Sequence, residues 1–465
     1  MGRFRRGARM GAVIITFSLF GPPMTAARAG APLCAYDTAA RVLTVNAITS
    51  VVTIEAGGIW LVVNDVNCAL LAEVNTVNVN MGGFVNTILV FDLANGPLGP
   101  GFTDEGNGSS EIEFDVTGFG SGSALTVLGS GVADGVAVGQ RLNGMTGLIV
   151  DQFNLNSIAD GATKDTDVTV HGSPGGIRLE GKGGNDVLSG AGTGGIGARA
   201  YPTKIIFDDG SGGDDVSGGS GDDLLLIDPG AKDQGDHYVG GAGTDTVSLD
   251  SSLSGLSPYI NLNDLSDDGL GCPNTFQCEA DNYASDIERV LGSHLGERIV
   301  GGPGSQELLG LAGADEISGG GAADHIDGGI GADTLKGGPG SDTLIGGHGP
   351  DEINGGGGID TVDYSSATEG VSVNLNGVAD DGMNGEGDHI ATNVEHAVGS
   401  SHDDEFLGTA ADNVFWGRDG NDLFYGKRGD DELYGRKGDD HFWGGKGNDL
   451  CAQGPGTGTK TSCER

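Results

Sequence analysis

The sequence is poor in basic residues, aromatic residues and long apolar runs. Its 465 residues include 24 Lys and Arg against 66 Asp and Glu, a formal net charge of −42, and aromatic residues make up only 6%. Nucleic acid and anionic lipid would be repelled by so acidic a chain, so neither is expected as a partner. Glycine, in contrast, supplies 91 residues. The chain is therefore either disordered or built on a repeating plan in which glycine has fixed positions.

The amino-terminal residues have the features of a secretory signal. Residues 1–29 combine four arginines before residue 10, an apolar run at 11–20 and the sequence Ala-Arg-Ala at 27–29. The apolar run is shorter than the ~20 residues that cross a bilayer, and no later segment is long and apolar enough to do so. The sequence therefore predicts a secreted protein without membrane insertion, from which residues 1–29 are removed.

Cysteine usage agrees with an oxidising compartment. All six cysteines follow residue 29, and an even number beyond a signal peptide favours disulfides. Six cysteines allow about fifteen pairings, so the connectivity stays open, and local pairing is the simplest arrangement. A zinc site is the weaker alternative because the sequence contains no Cys-x-x-Cys. The local pairs are Cys34 with Cys68, Cys272 with Cys278, and Cys451 with Cys463.

A nine-residue repeat organises the carboxyl-terminal part of the chain. From residue 310 the sequence reads GLAGADEIS, GGGAADHID, GGIGADTLK, GGPGSDTLI, GGHGPDEIN and GGGGIDTVD, and a second array begins at residue 399. Sparser copies occupy 181–189, 210–218, 218–226 and 240–248. A disordered glycine-rich linker would not keep an apolar residue two places after each aspartate through six consecutive units. The repeat therefore indicates a regular fold.

Each position of the repeat has a physical role. Glycines at positions one, two and four allow a tight turn, and the last three residues form a short strand whose central apolar side chain points inward. If two repeats make one coil, aspartates eighteen residues apart stack at ~4.8 Å. Carboxylates ~5 Å apart at an effective dielectric constant of ~20 repel by ~3 kcal/mol, so a cation between them is expected. Calcium fits best because it accepts six to eight carboxylate and carbonyl oxygens.

The arrays resemble the glycine-rich repeats of the RTX (hemolysin-type) calcium-binding family, whose pattern GGxGxDxUx is met closely at GGIGADTLK. The resemblance implies an all-β fold, a right-handed parallel β-roll or β-helix solenoid, with several calcium ions bound between successive turns. Gln306 and Asn413 replace the aspartate, so weak or absent sites are expected there. Lys182, Ser211, Arg418, Lys427 and Arg436 replace the second glycine. The calcium ligands implied by the resemblance are Asp186, Asp215, Asp223, Asp245, Asp315, Asp324, Asp333, Asp342, Asp351, Asp360, Asp404, Asp422, Asp431, Asp440 and Asp449.

The remaining segments complete the domain organisation. Residues 30–180 are β-rich and are interpreted as a wider β-helix, with a sandwich as the alternative. Residues 181–300 carry degenerate repeats with an insertion, 301–362 the first array and 399–465 the second array with a disulfide cap. The segment 363–398 repeats 248–292, and both are interpreted as longer coils of the solenoid. Their acidic turns, at 267–269 and 380–382, are interpreted as solvated loops, with further calcium sites as the alternative.

Motifs of known enzyme chemistry are absent from the sequence: it contains no His-Glu-x-x-His, no Gly-x-Ser-x-Gly and no phosphate loop. The sequence therefore favours a secreted calcium-binding protein with a structural or interaction role and without catalysis. The alternative is a surface adhesin or glycan-binding protein that uses Trp416, Tyr425, Tyr434 and Trp443, which recur every nine residues at outward positions. These rings are expected to stack in two pairs, Trp416 with Tyr434 and Tyr425 with Trp443. An enzyme whose activity resides in 30–180 is a third hypothesis.

Overall fold

The computed structural model describes residues 186–190, 204–209, 213–227, 235–249, 258–263 and 281–464, together with the strands of the segment 34–180 and a short strand at 269–270. The predicted signal at 1–29 and Cys272 and Cys278 lie outside the described residues, as do the side chains of Cys34 and Cys68. Among the described residues, no helix has the length and hydropathy needed to cross a membrane. The chain divides into two compact units, Met1–Asp245 and Thr246–Arg465.

The first unit is built from short strands. Its strands are β1 (Cys34–Asp37), β2 (Val42–Asn46), β3 (Val51–Gly57), β4 (Trp60–Val63), β5 (Val66–Leu70), β6 (Thr76–Asn80), β7 (Ile88–Asp92), β8 (Thr103–Asp104), β9 (Ser110–Glu111), β10 (Glu113–Thr117), β11 (Ala124–Leu128), β12 (Gly135–Leu142), β13 (Ile149–Asn154), β14 (Val168–His171), β15 (Gly176–Glu180), β16 (Val187–Ser189), β17 (Ile205–Asp208), β18 (Asp215–Ser217), β19 (Leu224–Ile227) and β20 (His237–Val239).

Parallel pairing dominates this unit and identifies it as a β-solenoid. One ladder runs β2–β6–β10–β14, a second runs β3–β7–β11–β15–β17–β19, and a third runs β12–β16–β18–β20. Antiparallel hairpins interrupt the coils at β1–β2, β3–β4–β5 and β12–β13–β14. Parallel neighbours far apart in sequence are the mark of stacked coils. The parallel pairing of the described strands favours the β-helix interpretation of residues 30–180 over the sandwich.

The second unit has the same kind of architecture, with shorter coils. Its strands are β21 (Thr246–Leu249), β22 (Pro258–Asn261), β23 (Gly269–Leu270), β24 (Asn282–Tyr283), β25 (Arg289–Leu291), β26 (Arg298–Val300), β27 (Glu307–Leu309), β28 (Glu316–Ser318), β29 (His325–Ile330), β30 (Thr334–Gly340), β31 (Thr343–His348), β32 (Glu352–Gly358), β33 (Thr361–Asp363), β34 (Val371–Asn374), β35 (Ala379–Met383), β36 (Asp388–Ile390), β37 (His396–Val398), β38 (Glu405–Leu407), β39 (Val414–Asp419), β40 (Leu423–Arg428), β41 (Glu432–Lys437), β42 (His441–Lys446), β43 (Leu450–Ala452) and β44 (Thr459–Thr461).

Two parallel sheets face each other across this unit. One runs β21–β25–β27–β29–β31–β33–β37–β39–β41–β43. The other runs β22–β26–β28–β30–β32–β36 and resumes as β34–β38–β40–β42–β44, with β35 antiparallel to both β36 and β34. Successive nonapeptides thus alternate between the sheets. The predicted all-β parallel solenoid with two repeats per coil is confirmed.

The repeat places one apolar side chain per strand in the core. Ile317, Leu335 and Ile353 occupy position eight of their repeats and are fully buried, while their strand neighbours are only partly covered or exposed. Several strands are longer than the expected three residues, because the glycine turn also pairs with the next coil, as Gly329 does with Gly347. Backbone groups of the turns are therefore satisfied between coils rather than by solvent.

The inter-array segment 363–398 forms a hairpin that leaves the coil and returns. Strands β34 and β35 pair through Val371 with Met383 and Ser372 with Gly382, much as β22 and β23 pair through Tyr259 with Gly269. The acidic turn of this hairpin, at 380–382, is not fully solvated. Asp381 is buried and accepts hydrogen bonds from the backbone N–H of Asn374 at 2.5 Å and of Ile390 at 3.1 Å. The interpretation as a solvated turn is therefore wrong for Asp381, whose carboxylate holds the hairpin together.

A disulfide lies at the carboxyl-terminal end of the solenoid. It joins Cys451 to Cys463 across a Cα–Cα distance of 5.8 Å, and the Cys451 side chain is buried at the inward position of its repeat. Strand β44 pairs with β42, and the Lys460 ammonium donates to the carbonyl of Cys451. These contacts fasten the last residues of the chain to the final coil.

Candidate metal sites

Acidic side chains from position six of the repeats form buried columns where the strands begin. We define a column by the hydrogen bonds that join a residue to the equivalent residue one coil later. In the second unit, column 1 contains Glu297, Asp315, Asp333, Asp351 and Asp388; column 2 contains Gln306, Asp324, Asp342, Asp360 and Glu395; column 3 contains Asp404, Asp422 and Asp440; and column 4 contains Asn413, Asp431, Asp449 and Glu464.

The first unit carries shorter columns of the same kind. The backbone N–H of Asp186 donates to Asp214 at 2.6 Å, and that of Asp214 donates to Asp236 at 2.7 Å. A parallel series joins the N–H of Asp223 to Asp245 at 2.8 Å. All five carboxylates are buried. The degenerate repeats upstream of residue 246 therefore build the same local arrangement as the regular arrays.

One carboxylate oxygen of each column aspartate is engaged by the preceding coil. The N–H of Asp315 donates to Oδ1 of Asp333 at 2.8 Å, and the N–H of Asp333 donates to Oδ1 of Asp351 at 2.9 Å. Partners in the regular part of the columns are separated by eighteen residues, or two nonapeptides. The columns therefore act as ladders that fix the register between coils.

The other carboxylate oxygen is buried without a hydrogen-bond partner in most of these residues. A buried, unpaired charged oxygen destabilises a fold by more than the ~1–3 kcal/mol of a neutral group, so a repeated set of them fits a site that binds cations. The Oδ2 atoms in this state belong to Asp214, Asp315, Asp324, Asp333, Asp342, Asp351, Asp360, Asp422, Asp431 and Asp449.

Burial raises the pKa of several column aspartates. The pKa rises from 3.8 to about 7 for Asp315 and Asp351, to about 6 for Asp333, and to about 8 for Asp422. Desolvation is the largest cause in each case, and the backbone hydrogen bond from the preceding coil opposes it. Neighbouring carboxylates raise the pKa further, as Asp388 does for Asp351. The columns thus favour a positive charge or a proton beside each carboxylate.

Glycine at position one leaves room beside each unpaired oxygen. A methyl group on Gly310 would lie 2.5 Å from Oδ2 of Asp315 and 2.7 Å from the carbonyl oxygen of Gly328. On Gly328 it would lie 2.6 Å from Oδ2 of Asp333 and 2.8 Å from the carbonyl oxygen of Gly346. Both oxygens therefore face the same small space, and a side chain at position one would fill it.

The residues around these spaces fit calcium. Their oxygens come from carboxylates and carbonyls, the hard donors that calcium accepts in flexible geometry. In the part of the chain that the structure describes, no three His, Cys, Asp or Glu side chains converge as a preformed metal cluster. Backbone carbonyls must therefore supply much of the coordination, as the glycine turns allow, and a soft metal would find no thiolate or imidazole set.

One of the ligands implied by the resemblance is misplaced. Asp215 is exposed and contacts His237 at 3.1 Å, whereas its neighbour Asp214 is buried in the column. The prediction of Asp215 is wrong because Val216, the inward residue, lies two positions after Asp214. The other predicted acids lie in the columns: Asp186, Asp223, Asp245, Asp315, Asp324, Asp333, Asp342, Asp351, Asp360, Asp404, Asp422, Asp431, Asp440 and Asp449.

Sequence reasoning missed several column residues that stand outside regular repeats. Asp236, Glu297, Asp388 and Glu395 each precede, by two positions, a buried residue: Tyr238, Ile299, Ile390 and Ala397 respectively. This acid-x-buried signature is the same as in the repeats, but the glycines before it are incomplete. Glu464, which accepts the N–H of Asp449 at 3.0 Å, follows the last repeat and has no such signature.

Asn413 shows what replaces a cation when the acid is missing. Its Nδ2 donates to the carbonyl oxygen of Glu395 at 3.0 Å, so an N–H group from the side chain satisfies a backbone oxygen of the neighbouring coil. Its Oδ1 accepts the N–H of Thr409 at 2.7 Å. An uncharged amide thus satisfies this turn by direct hydrogen bonds, which agrees with the expected weak or absent calcium site.

The outward aromatic residues stack in pairs, as predicted. Trp416 lies 6.2 Å from Tyr434 with an angle of 8° between the rings, and Tyr425 lies 4.6 Å from Trp443 with an angle of 6°. Each ring thereby covers a face of its partner, and all four are half-buried. A sugar ring binds to an open aromatic face, so this arrangement favours packing between coils over a glycan-binding platform.

The second unit is thus a parallel β-roll of nonapeptide repeats whose turns present buried oxygens for calcium. Residues 300–335, 327–362, 398–433 and 419–451 match the family model of the RTX calcium-binding nonapeptide repeat. The chain therefore contains RTX calcium-binding repeats in both arrays. Comparison with curated proteins gave no significant match.

Proposed function

We propose that this is a secreted calcium-binding protein that folds when several calcium ions enter the stacked turns, and that its role is structural or interactive rather than catalytic. The observation that carries the proposal is the series of buried, unpaired Oδ2 atoms in the columns. Calcium would join each of them to carbonyl oxygens of neighbouring turns and neutralise the stacked charge, so that binding free energy becomes folding free energy.

Secretion is supported by the amino-terminal sequence. The arginine-rich start, short apolar run and Ala-Arg-Ala of residues 1–29 have the organisation of a signal peptide. Low cytoplasmic calcium would leave the repulsive columns unfolded before export, and the ion outside would complete them. The six cysteines are consistent with that compartment, with Cys451 and Cys463 as the pair whose geometry the structure describes.

The test is a calcium titration of the full chain from EDTA, followed by far-ultraviolet circular dichroism, with magnesium as the control ion. We expect a β-type signal to appear with calcium and not with equal magnesium, because magnesium demands stricter octahedral geometry. Isothermal titration calorimetry in parallel gives the number of ions. A folded spectrum that neither EDTA nor calcium changes would contradict calcium-coupled folding.

The alternative function is adhesion or glycan binding through the Trp416–Tyr434 and Tyr425–Trp443 pairs. Replacing Trp416 and Trp443 by alanine separates the two hypotheses. A lower melting temperature with unchanged binding to extracellular polysaccharides assigns the rings to packing. Lost binding with an unchanged melting temperature assigns them to recognition.

A further inference from the structure

Column 2 reaches the end of the first array with an unpaired acid. Asp360 has an exposed fraction of 0%, and its Oδ2 has no hydrogen-bond partner. Eighteen residues later, where a further repeat would place its acid, stands Val378, which is 54% exposed. The nonapeptide pattern alone therefore supplies no acid one coil after Asp360.

A glutamate from outside the repeats takes the place of the next aspartate. The N–H of Asp360 donates to Oε2 of Glu395 at 3.0 Å, which matches the bond from the N–H of Asp342 to Oδ1 of Asp360 at 2.9 Å. Strand pairing delivers Glu395 to this point, since Thr361 pairs with His396. The hairpin excursion thus returns the chain to the column after thirty-five residues instead of eighteen.

A carbonyl from the same segment takes the place of the glycine carbonyl. A methyl group on Gly355 would meet Oδ2 of Asp360 and lie 2.7 Å from the carbonyl oxygen of Asn393. One coil earlier, at Gly337, the equivalent neighbours are Oδ2 of Asp342 and the carbonyl oxygen of Gly355. The Asn393 side chain fixes this position by donating to Oδ1 of Asn354 at 2.8 Å and to the carbonyl of Gly356 at 3.1 Å.

We propose that Asp360, the Asn393 carbonyl and Glu395 form a calcium site to which the inter-array segment contributes two of the three named ligands. The site extends the proposed calcium-binding function and rests on it. Oδ2 of Asp360 and the Asn393 carbonyl face the same small space, and the Glu395 carboxylate lies next to Asp360, so the charge and donor type are those that calcium requires. The site ends the column, because the next residue is Asn413, whose amide already satisfies the Glu395 carbonyl. Calcium here binds segment 363–398 to the first array.

The test is the number of calcium ions bound by the full chain, measured by equilibrium dialysis and calorimetry. Glu395→Gln removes the charge but keeps an oxygen for the Asp360 N–H, so the fold is retained and about one ion per chain is lost. Glu369→Gln is the matched control, because Glu369 is an exposed glutamate of the same segment, and it binds as many ions as the unaltered chain. Asp342→Asn tests a site inside the repeats.

The outcomes separate this site from the general function. If Asp342→Asn loses an ion while Glu395→Gln binds the full number, the proposed site is overturned and the calcium-binding function stands. If the unaltered chain binds no calcium, the proposed function itself fails. Glu395→Asp keeps the charge, and we expect it to retain the ion with weaker affinity. Loss of the ion in Glu395→Gln with retention in Glu395→Asp supports the site even if the neutral variant is less stable.

Discussion

In the absence of calcium, protons should partly replace the ion in the columns, so the calcium-free protein should be more stable in mild acid than at alkaline pH. Burial raises the pKa of Asp315 to about 7 and that of Asp333 to about 6, from 3.8 in an unfolded chain. The folded chain therefore holds more protons than the unfolded chain between about pH 4 and about pH 7. Its free energy of unfolding falls as the pH rises through this window.

The size of the effect follows from the shifts. One pKa unit corresponds to about 1.4 kcal/mol, so ionising Asp315 disfavours the calcium-free fold by about 4 kcal/mol and ionising Asp333 by about 3 kcal/mol. Stacked carboxylates titrate together, so these contributions do not simply add. Even two of them are comparable with the 5–15 kcal/mol that stabilises an ordinary domain. The calcium-free roll should consequently unfold on ionisation of its columns.

The assay is urea unfolding in EDTA, followed by circular dichroism between about pH 5 and about pH 8.5, which spans the raised pKa values. We expect the unfolding midpoint to fall steadily with pH and the β signal to disappear at the upper end. With saturating calcium the slope should reverse, because protons compete with the ion for the same carboxylates. A midpoint in EDTA that is constant or rises with pH would refute the reasoning.

Three further predictions concern single residues. Asn413→Asp should add about one calcium ion per chain in calorimetry, because a charged oxygen replaces the amide that satisfies the neighbouring carbonyl. The same change at exposed Asn421 is the control and should leave the number of bound ions unaltered. Phe424→Ala should lower the free energy of unfolding in calcium by about 3–5 kcal/mol, because this buried ring stacks on Phe406 at 5.0 Å and on Phe442 at 4.9 Å. Phe424→Leu should lower it by less. Arg436→Gly should stabilise the protein by about 1 kcal/mol in urea unfolding, because Arg436 has a φ of 72°, and Arg436→Ala should bring no such gain.

The regular features of the fold are predictable because the period is short and strict. A nine-residue unit that alternates between two sheets places residues eighteen apart side by side, so the stacking of Trp416 on Tyr434 follows from the spacing alone. The same arithmetic places Asp315 beside Asp333. These contacts depend only on the repeat period and on the residue type at each position, and both can be read from the sequence.

Features that depend on chain excursions could not be predicted in this way. Asp388 and Glu395 join the columns thirty-seven and thirty-five residues after their partners, because the hairpin of segment 363–398 changes the spacing. The burial of Asp381 depends on that hairpin closing against β36. At Asp214 and Asp215 the difficulty is different, since two adjacent acids fit the pattern and only the inward position of Val216 selects the first.

The column hydrogen bonds have a direction along the chain, and this gives assembly an order. Each hydrogen bond that defines a column runs from an amide to a carboxylate that lies later in the sequence, eighteen residues on in the regular arrays. A chain that emerges amino terminus first therefore cannot complete a coil until the following one has also emerged. Each coil supplies the carboxylate that accepts the column hydrogen bond of the coil before it. Column 4 closes on Glu464, next to the Cys451–Cys463 disulfide.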